Sequence, residues 1–390
     1  MATQAIKSTS LPPDAELVLG RLDRAREATL ALVSHLDDEQ LERVHSSIMS
    51  PLVWDLGHIA AYEDLWIGHR HGGLELLHPE LAALYDAFET PRAVRGEIEK
   101  LGPAAARRYL EEVRERTAAV LETRGPGDGV LCEMVLRHEL QHCETMRQTM
   151  DIAGLLPAGE GVLAPVATGA EEWLTMPAGP FEMGAAATGF AYDNERPRHS
   201  AIVAAAFRIA HRPVTNASWM HFSEGGGYER REWWSREGWA WKEDYDITHH
   251  PAVATGDPEA PVCHVSWFEA DAFARAHEAR LPSEAEWEKA VTWKQQDGAG
   301  EDGGAALERS LMAGLGQVWE WTSSTFHGYP GFEAFPYREY SEVFFGEKYR
   351  VLRGGSWATS SRVAGRHFRN WDLPERRQIF AGLRLAKEAL

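Results

Sequence analysis

Cysteine is scarce in this 390-residue chain: only Cys132, Cys143 and Cys263 occur. Three cysteines make no disulfide framework, so the expected compartment is a reducing cytoplasm. Basic charge is also short, with 40 Lys and Arg against 59 Asp and Glu, a net charge of −19. That balance excludes nucleic-acid binding by bulk electrostatics. No apolar run reaches membrane length, and the first residues lack the charged and apolar regions of a signal peptide, so no membrane partner is expected. No internal repeat is visible.

What is present suggests two domains, on a scale of about 150 residues each. The first half reads as helices. Leu17, Leu22, Ala25, Leu30 and Leu32 fall at amphipathic spacing within a helix from Asp14 to about Leu36. Ser50-Pro51 has the form of an N-cap followed by proline at the first helical position, opening a helix from Leu52 to about His69. Further helices are expected at Pro103 to Glu122 and Val130 to Leu156, and four such helices make a bundle able to hold a metal between facing helices. The expected division is a loose arm at 1–13, a bundle at 14–156, a Gly/Ala/Pro-rich linker at 157–170 and a second domain at 171–390. Most of the fifteen Trp lie in that second part. There, short β-like runs (172–176, 179–184, 207–209) alternate with turns, two short helices are expected at Asn216 to Glu224 and Ser266 to Ala279, and Gly298 to Gly304 is a polar loop.

The chemistry centres on His138-Glu139-Leu140-Gln141-His142. On a helix, His138 and His142 stand at i and i+4 and project from one face, within reach of one metal ion. Gln141 lies one residue off that face. The pattern also has the look of the zinc-protease His-Glu-x-x-His. Solvated or capping histidines are the plain alternative, and a third protein ligand has to come from elsewhere.

The second half resembles the formylglycine-generating-enzyme fold, a variant of the C-type lectin fold. The resemblance rests on Pro213-Val214-Thr215-Asn216, Pro261 to Trp267, Arg280 to Glu288, Val318 to Thr322, Arg353-Gly354-Gly355-Ser356-Trp357 and Gly382-Leu383-Arg384. The first half resembles a DinB-like four-helix bundle. Together they give an α+β chain whose architecture resembles the ergothioneine-pathway sulfoxide synthases. The motifs that carry this are Ser50 to Ile59, His138 to Met146, Pro336-Tyr337-Arg338-Glu339-Tyr340-Ser341 and Phe368-Arg369-Asn370-Trp371-Asp372.

The resemblance implies that His58, His138 and His142 are the ligands of a mononuclear non-haem Fe(II), although three histidines by themselves suit zinc as well. It implies that Tyr340, Trp371 and Gln141 surround hercynine, the trimethylated histidine, whose quaternary ammonium suits aromatic faces. Tyr337 matches the catalytic tyrosine, a phenol able to donate a proton; Tyr329 is a weaker rival. Arg92 and Arg95 match the pair that grips the donor's carboxylates, and Asn370 and Asp372 match residues near the donor.

The chain also departs from that family. Cys143 stands where a carboxylate is usual, Gly96-Glu97-Ile98-Glu99-Lys100 replaces an apolar run, and the segment before Val318 is short. These changes fall on the donor side. They favour slightly a selenosugar, as in the selenoneine synthase branch, over γ-glutamylcysteine or cysteine. The expected activity is O₂-dependent formation of a carbon–chalcogen bond at the imidazole C2 of hercynine. A zinc-dependent thiol transferase and a lectin-like binding module are the readings from other classes. Formylglycine generation needs paired cysteines in the second domain, where only Cys263 lies.

Overall fold

The computed structural model describes residues 14–167, 172–251, 256–293 and 310–389. The expected arm at 1–13, part of the expected linker and the Gly298–Gly304 loop lie outside them. The chain divides into two compact units, one formed up to Ala158 with Thr188–Phe190, the other by Gly159–Ala187 and the residues from Ala191 onward.

The first unit is helical. Helices α1 (Ala15–Leu32), α2 (Asp38–Glu42), α3 (Leu52–Glu63), α4 (Pro79–Leu84), α5 (Pro103–Arg124) and α6 (Val130–Ala153) follow in order. Asp14 caps α1 by accepting from the Glu16 amide, and Asp37 with Gln40 forms a capping box on α2. Gly154, at φ +67°, ends α6 in the left-handed conformation that only glycine takes freely. Leu52, Leu56, Ile59, Leu110, Val113 and Met146 meet in the apolar core.

A buried ionic cluster crosses that core. Arg26 donates to Glu63 and Glu139, both at 2.8 Å, and Arg114 donates to Glu63 at 2.9 Å. It ties α1, α3, α5 and α6 together, because breaking any member would strand a charge away from water.

Two local readings are corrected here. Pro51, not Ser50, occupies the N-cap of α3, with no side-chain cap, and the Ser50 hydroxyl instead accepts from Arg95 at 2.8 Å. The helix expected to run on to His69 changes after Glu63 into a wider π-helical segment, Asp64–His71. Apolar spacing cannot distinguish these windings, since both bury one face.

The second unit is mixed. It contains β1 (Trp173–Met176), β2 (Gly179–Met183), β3 (His199–Val203), β4 (Phe207–Ala210), α7 (Asn216–Glu224), α8 (Arg236–Asp244), α9 (Trp267–Ala276), α10 (Glu284–Thr292), β5 (Trp319–Phe326), β6 (Gly346–Arg353), β7 (Asn370–Asp372), β8 (Ala381–Leu383) and β9 (Ala386–Glu388). The sheets run β1-β4-β9, β2-β3 and β7-β6-β5-β8, antiparallel except where β5 meets β8. Helices α8 and α10 add to the two that were expected. Helix α10 starts with a capping box, Ser283 and Glu286, while α9 stops early, with Glu278 at φ +50°.

Trp219, Trp287, Trp319 and Trp321 are fully buried, and so are Arg353 and Arg384. These cations are matched by Glu288 at 2.6 Å and Glu320 at 2.7 Å. The indole of Trp287 donates to the same Glu320. The loop-rich core is therefore held by polar networks as well as by aromatic packing. No helix among the described residues is long and apolar enough to cross a membrane.

Candidate functional site

In the first unit, α3 supplies His58 and α6 supplies His138 and His142. One ring nitrogen from each lies within 4.8 Å of the others, the only such His/Cys/Asp/Glu grouping found among the described residues. The Nε2 atoms of His58 and His138 are 3.0 Å apart. The i, i+4 spacing on α6 delivers two imidazoles, and α3, packed against α6, delivers the third.

The ring orientations are fixed. His58 Nδ1 donates to the Tyr85 carbonyl at 2.6 Å, and His142 Nδ1 donates to Asp55 Oδ1 at 2.9 Å. A carbonyl and a carboxylate only accept, so both Nε2 atoms keep their lone pairs. His58 stacks on Trp54 at 4.8 Å between centroids, and Tyr62 stacks on His138 at 3.6 Å. Burial pushes His58 and His138 well below the usual imidazole value, with neighbouring His142 adding to the effect. A buried imidazole with its Nδ1 proton committed, as at His58, is a ready ligand for a divalent ion, and three imidazoles converging there fit a mononuclear centre.

Glu139 is not part of that centre. It lies on the neighbouring face of α6, 1% exposed, and accepts from Arg26 and from the Thr29 hydroxyl at 2.8 Å. The zinc-protease likeness of the sequence therefore lacks its general base. Cys143 follows Glu139 onto that face. It packs in the core with its sulfur 3.3 Å from Thr29 Oγ1, and burial pushes its thiol up to about 11. Gln141 sits half-buried on α6, one residue before His142.

The arginine pair divides. Arg92 is exposed, with one contact to the Ile48 carbonyl at 3.4 Å. Arg95 is buried and donates to Thr90 O, Ser50 Oγ and Ala87 O, with its guanidinium 3.6 Å from the Trp54 ring centre. Glu97 and Glu99 are exposed.

In the second unit, Tyr337, Tyr340 and Trp371 come together. Tyr340 meets Tyr337 edge-on at 6.3 Å and Trp371 edge-on at 6.0 Å, while Trp371 stacks on Phe326 at 4.2 Å. All three are half-buried. Asn370 and Asp372 flank Trp371 on β7, where successive side chains alternate between faces. The Asn370 side-chain oxygen accepts from the Trp371 amide, and Asp372 from the Leu373 amide. Tyr329 packs its ring against His199 at 4.7 Å between centroids. It is buried under Arg369 at 4.2 Å, and burial pushes its phenol far above the usual range.

Sequence reasoning missed two supports of this second cluster. Tyr192 stacks flat on Tyr340 at 4.3 Å. Asp193 accepts from the Ser341 hydroxyl and from the Phe335 amide, which anchors the segment bearing Tyr337 and Tyr340. Burial pushes the Asp193 carboxyl up to about 6. It also missed Asp55 and Tyr62 around the histidines. Their spacing from His58, three and four residues, was the available signal.

Comparison with known proteins follows the same division. Residues 160–304 and 309–389 match the sulfatase-modifying factor enzyme 1-like domain, and residues 21–146 match the DinB superfamily. The hercynine oxygenase of Mycolicibacterium thermoresistibile is 41% identical over 97% of this chain and 96% of its own. That of Mycobacterium tuberculosis is 40% identical over 94% and 97%. Ergothioneine biosynthesis protein 1 of Schizosaccharomyces pombe is 27% identical over 51% of this chain and 28% of its own.

Proposed function

The chain belongs to the hercynine oxygenase family, and from that premise we propose that it is an O₂-dependent non-haem Fe(II) oxidoreductase joining a chalcogen donor to the imidazole C2 of hercynine. The observation that carries this is the convergence of three imidazoles, two of them, His58 and His142, with the Nδ1 proton committed elsewhere. His58, His138 and His142 would hold the metal. Bound there, Fe(II) supplies open coordination positions and the electrons that activate O₂.

The chain's own residues do the rest. Tyr340 and Trp371 offer aromatic faces suited to a trimethylammonium group, and Gln141 offers an amide one residue from the ligand His142. Tyr337 holds a transferable proton on its phenol oxygen. Asn370 and Asp372 are the polar groups proposed for the donor. With a thiol donor the balance closes: C–H and S–H are replaced by a C–S bond bearing one oxygen, and the second oxygen of O₂ leaves as water.

The donor carries a second reading. Arg95 has committed hydrogen bonds, and Glu97 and Glu99, which follow it in the chain, are exposed. One exposed guanidinium suits a sugar-linked selenolate better than the two carboxylates of γ-glutamylcysteine.

The test is anaerobic Fe(II) loading, then hercynine and O₂ with γ-glutamylcysteine, cysteine and a 1-seleno sugar in competition, with products identified by mass. Expected are O₂ uptake and a hercynine adduct. A dominant γ-glutamyl sulfoxide removes the selenium reading. Tightly held zinc with no O₂ uptake overturns the proposal in favour of a thiol transferase. Location in the cytoplasm is part of the proposal and rests on the sparse cysteines.

A further inference from the structure

Arg95 offers a role different from the one its motif position implies. Its side chain is 5% exposed and three of its N–H groups are engaged within the first unit: Nε to Thr90 O at 2.8 Å, Nη1 to Ser50 Oγ at 2.8 Å and Nη2 to Ala87 O at 3.2 Å. Its guanidinium carbon lies 3.6 Å from the centre of the Trp54 ring. Trp54, fully buried, places its indole against His58 at 4.8 Å and 14° between planes. Guanidinium, indole and imidazole thus form a three-tier column ending at a ligand of the candidate metal centre.

A second route reaches the same ring. The Tyr85 carbonyl that fixes His58 Nδ1 begins the loop whose Ala87 and Thr90 carbonyls Arg95 holds. Both the face of the His58 ring and the acceptor for its Nδ1 proton therefore depend on this one guanidinium.

We propose that Arg95 is a positioning residue for the metal ligand His58, acting through Trp54 and through the Tyr85–Thr90 loop, and does not clamp the donor's carboxylates. Clamping a carboxylate with the full fork would require giving up hydrogen bonds that hold the loop, and unpaired buried groups would remain behind. Burial lowers the Arg95 guanidinium to about 10, so it is still charged at neutral pH. The consequence for the substrate is that carboxylate recognition of the donor falls to the exposed Arg92, which favours a donor with few carboxylates. This inference rests on the metal-centre reading above.

The experiment separates the two roles. In the full-length protein, Fe(II) under anaerobic conditions and Co(II) as a spectroscopic probe are titrated into wild type, Arg95→Lys, Ser50→Ala and Arg92→Ala, with thermal melts to verify folding. Arg95→Lys keeps the charge but loses the fork and the flat stack, and should weaken metal binding by about 10–100-fold, the usual effect of losing support behind a metal ligand. Ser50→Ala removes one acceptor and should weaken it in the same direction by a smaller factor, which keeps the test alive if Arg95→Lys fails to fold. Arg92→Ala should leave the metal affinity at the wild-type value and raise the donor KM. Wild-type metal affinity in both Arg95→Lys and Ser50→Ala would overturn the positioning role, and a raised donor KM beside it would return Arg95 to the donor. A wild-type protein that binds neither ion would instead overturn the metal-centre reading itself, and this inference with it.

Discussion

At the scale of single residues, Asp55 supports the candidate centre without belonging to it. It is 1% exposed, and its Oδ1 fixes the tautomer of His142. Asp55→Asn keeps the shape but presents an amide that can donate as well as accept. The variant should fold and bind Fe(II) about 10–100-fold more weakly, as read by metal titration of the apo-protein. Tyr337→Phe removes only a hydroxyl from a half-buried ring. Metal content should be unchanged, while adduct formation with hercynine should fall by roughly 10²–10⁴-fold and the donor should still be consumed. A wild-type adduct rate would exclude the phenol as proton donor. These two variants separate the support of the metal from the chemistry at the substrate.

At the scale of elements, the sequence read best where periodicity and chemistry coincide. The spacing of His138 and His142 sufficed to put both on one face of α6, and the same spacing put Glu139 and Cys143 on the adjacent face. What it could not show was which way that adjacent face turns. Arg26 and Thr29, more than a hundred residues earlier, decide that Glu139 belongs to an ionic cluster. The same limit explains Ser50: its position favoured a cap, but a distant arginine claimed its hydroxyl. Helix α10 was not expected, although Ser283 and Glu286 stand at the spacing of the capping box that they form. A prediction at this scale concerns Gly57. A Cβ there would stand 2.2 Å from the Tyr85 ring, so α3 can approach that ring only where a side chain is missing. Gly57→Ala should cost about 1–3 kcal/mol in a urea melt by overpacking. Because Tyr85 also holds His58, it should weaken metal binding, a loss that Gly20→Ala, where a Cβ meets nothing closer than 3.6 Å, should not produce.

At the scale of the whole molecule, each unit carries a fully buried carboxylate matched to arginine. Burial alone would raise the Glu63 carboxyl, but Arg114 and Arg26 outweigh it and hold it at about 2. Burial is likewise outweighed at Glu288 by Arg353 and His367, which hold it at about 2. Both values lie below the ordinary 4.5 of an unfolded chain. Their stabilisation is therefore complete above about pH 4.5 and is lost as pH falls towards about 2, where protons bind the unfolded chain first. Urea midpoints should show little dependence on these groups between pH 7 and 5 and a steep decline below 4.5. Glu63→Gln and Glu288→Gln should lower the midpoint at pH 7, since each removes a negative charge paired with a buried arginine, and should flatten the acid slope.

The pairing of β4 with β9 and of β5 with β8 has a consequence for how the protein is made. Phe207 lies opposite Glu388, and Trp319 opposite Ala381. A ribosome delivers the chain from one end at about 5–20 residues per second. All three histidines have been synthesised once residue 142 is added, whereas two sheets of the second unit wait for strands at 381–388. At that pace the interval is roughly 10–50 s. During it the nascent bundle holds its full set of imidazoles while Tyr337 and Trp371 have no completed sheet behind them, so metal capture can precede assembly of the aromatic cluster during synthesis.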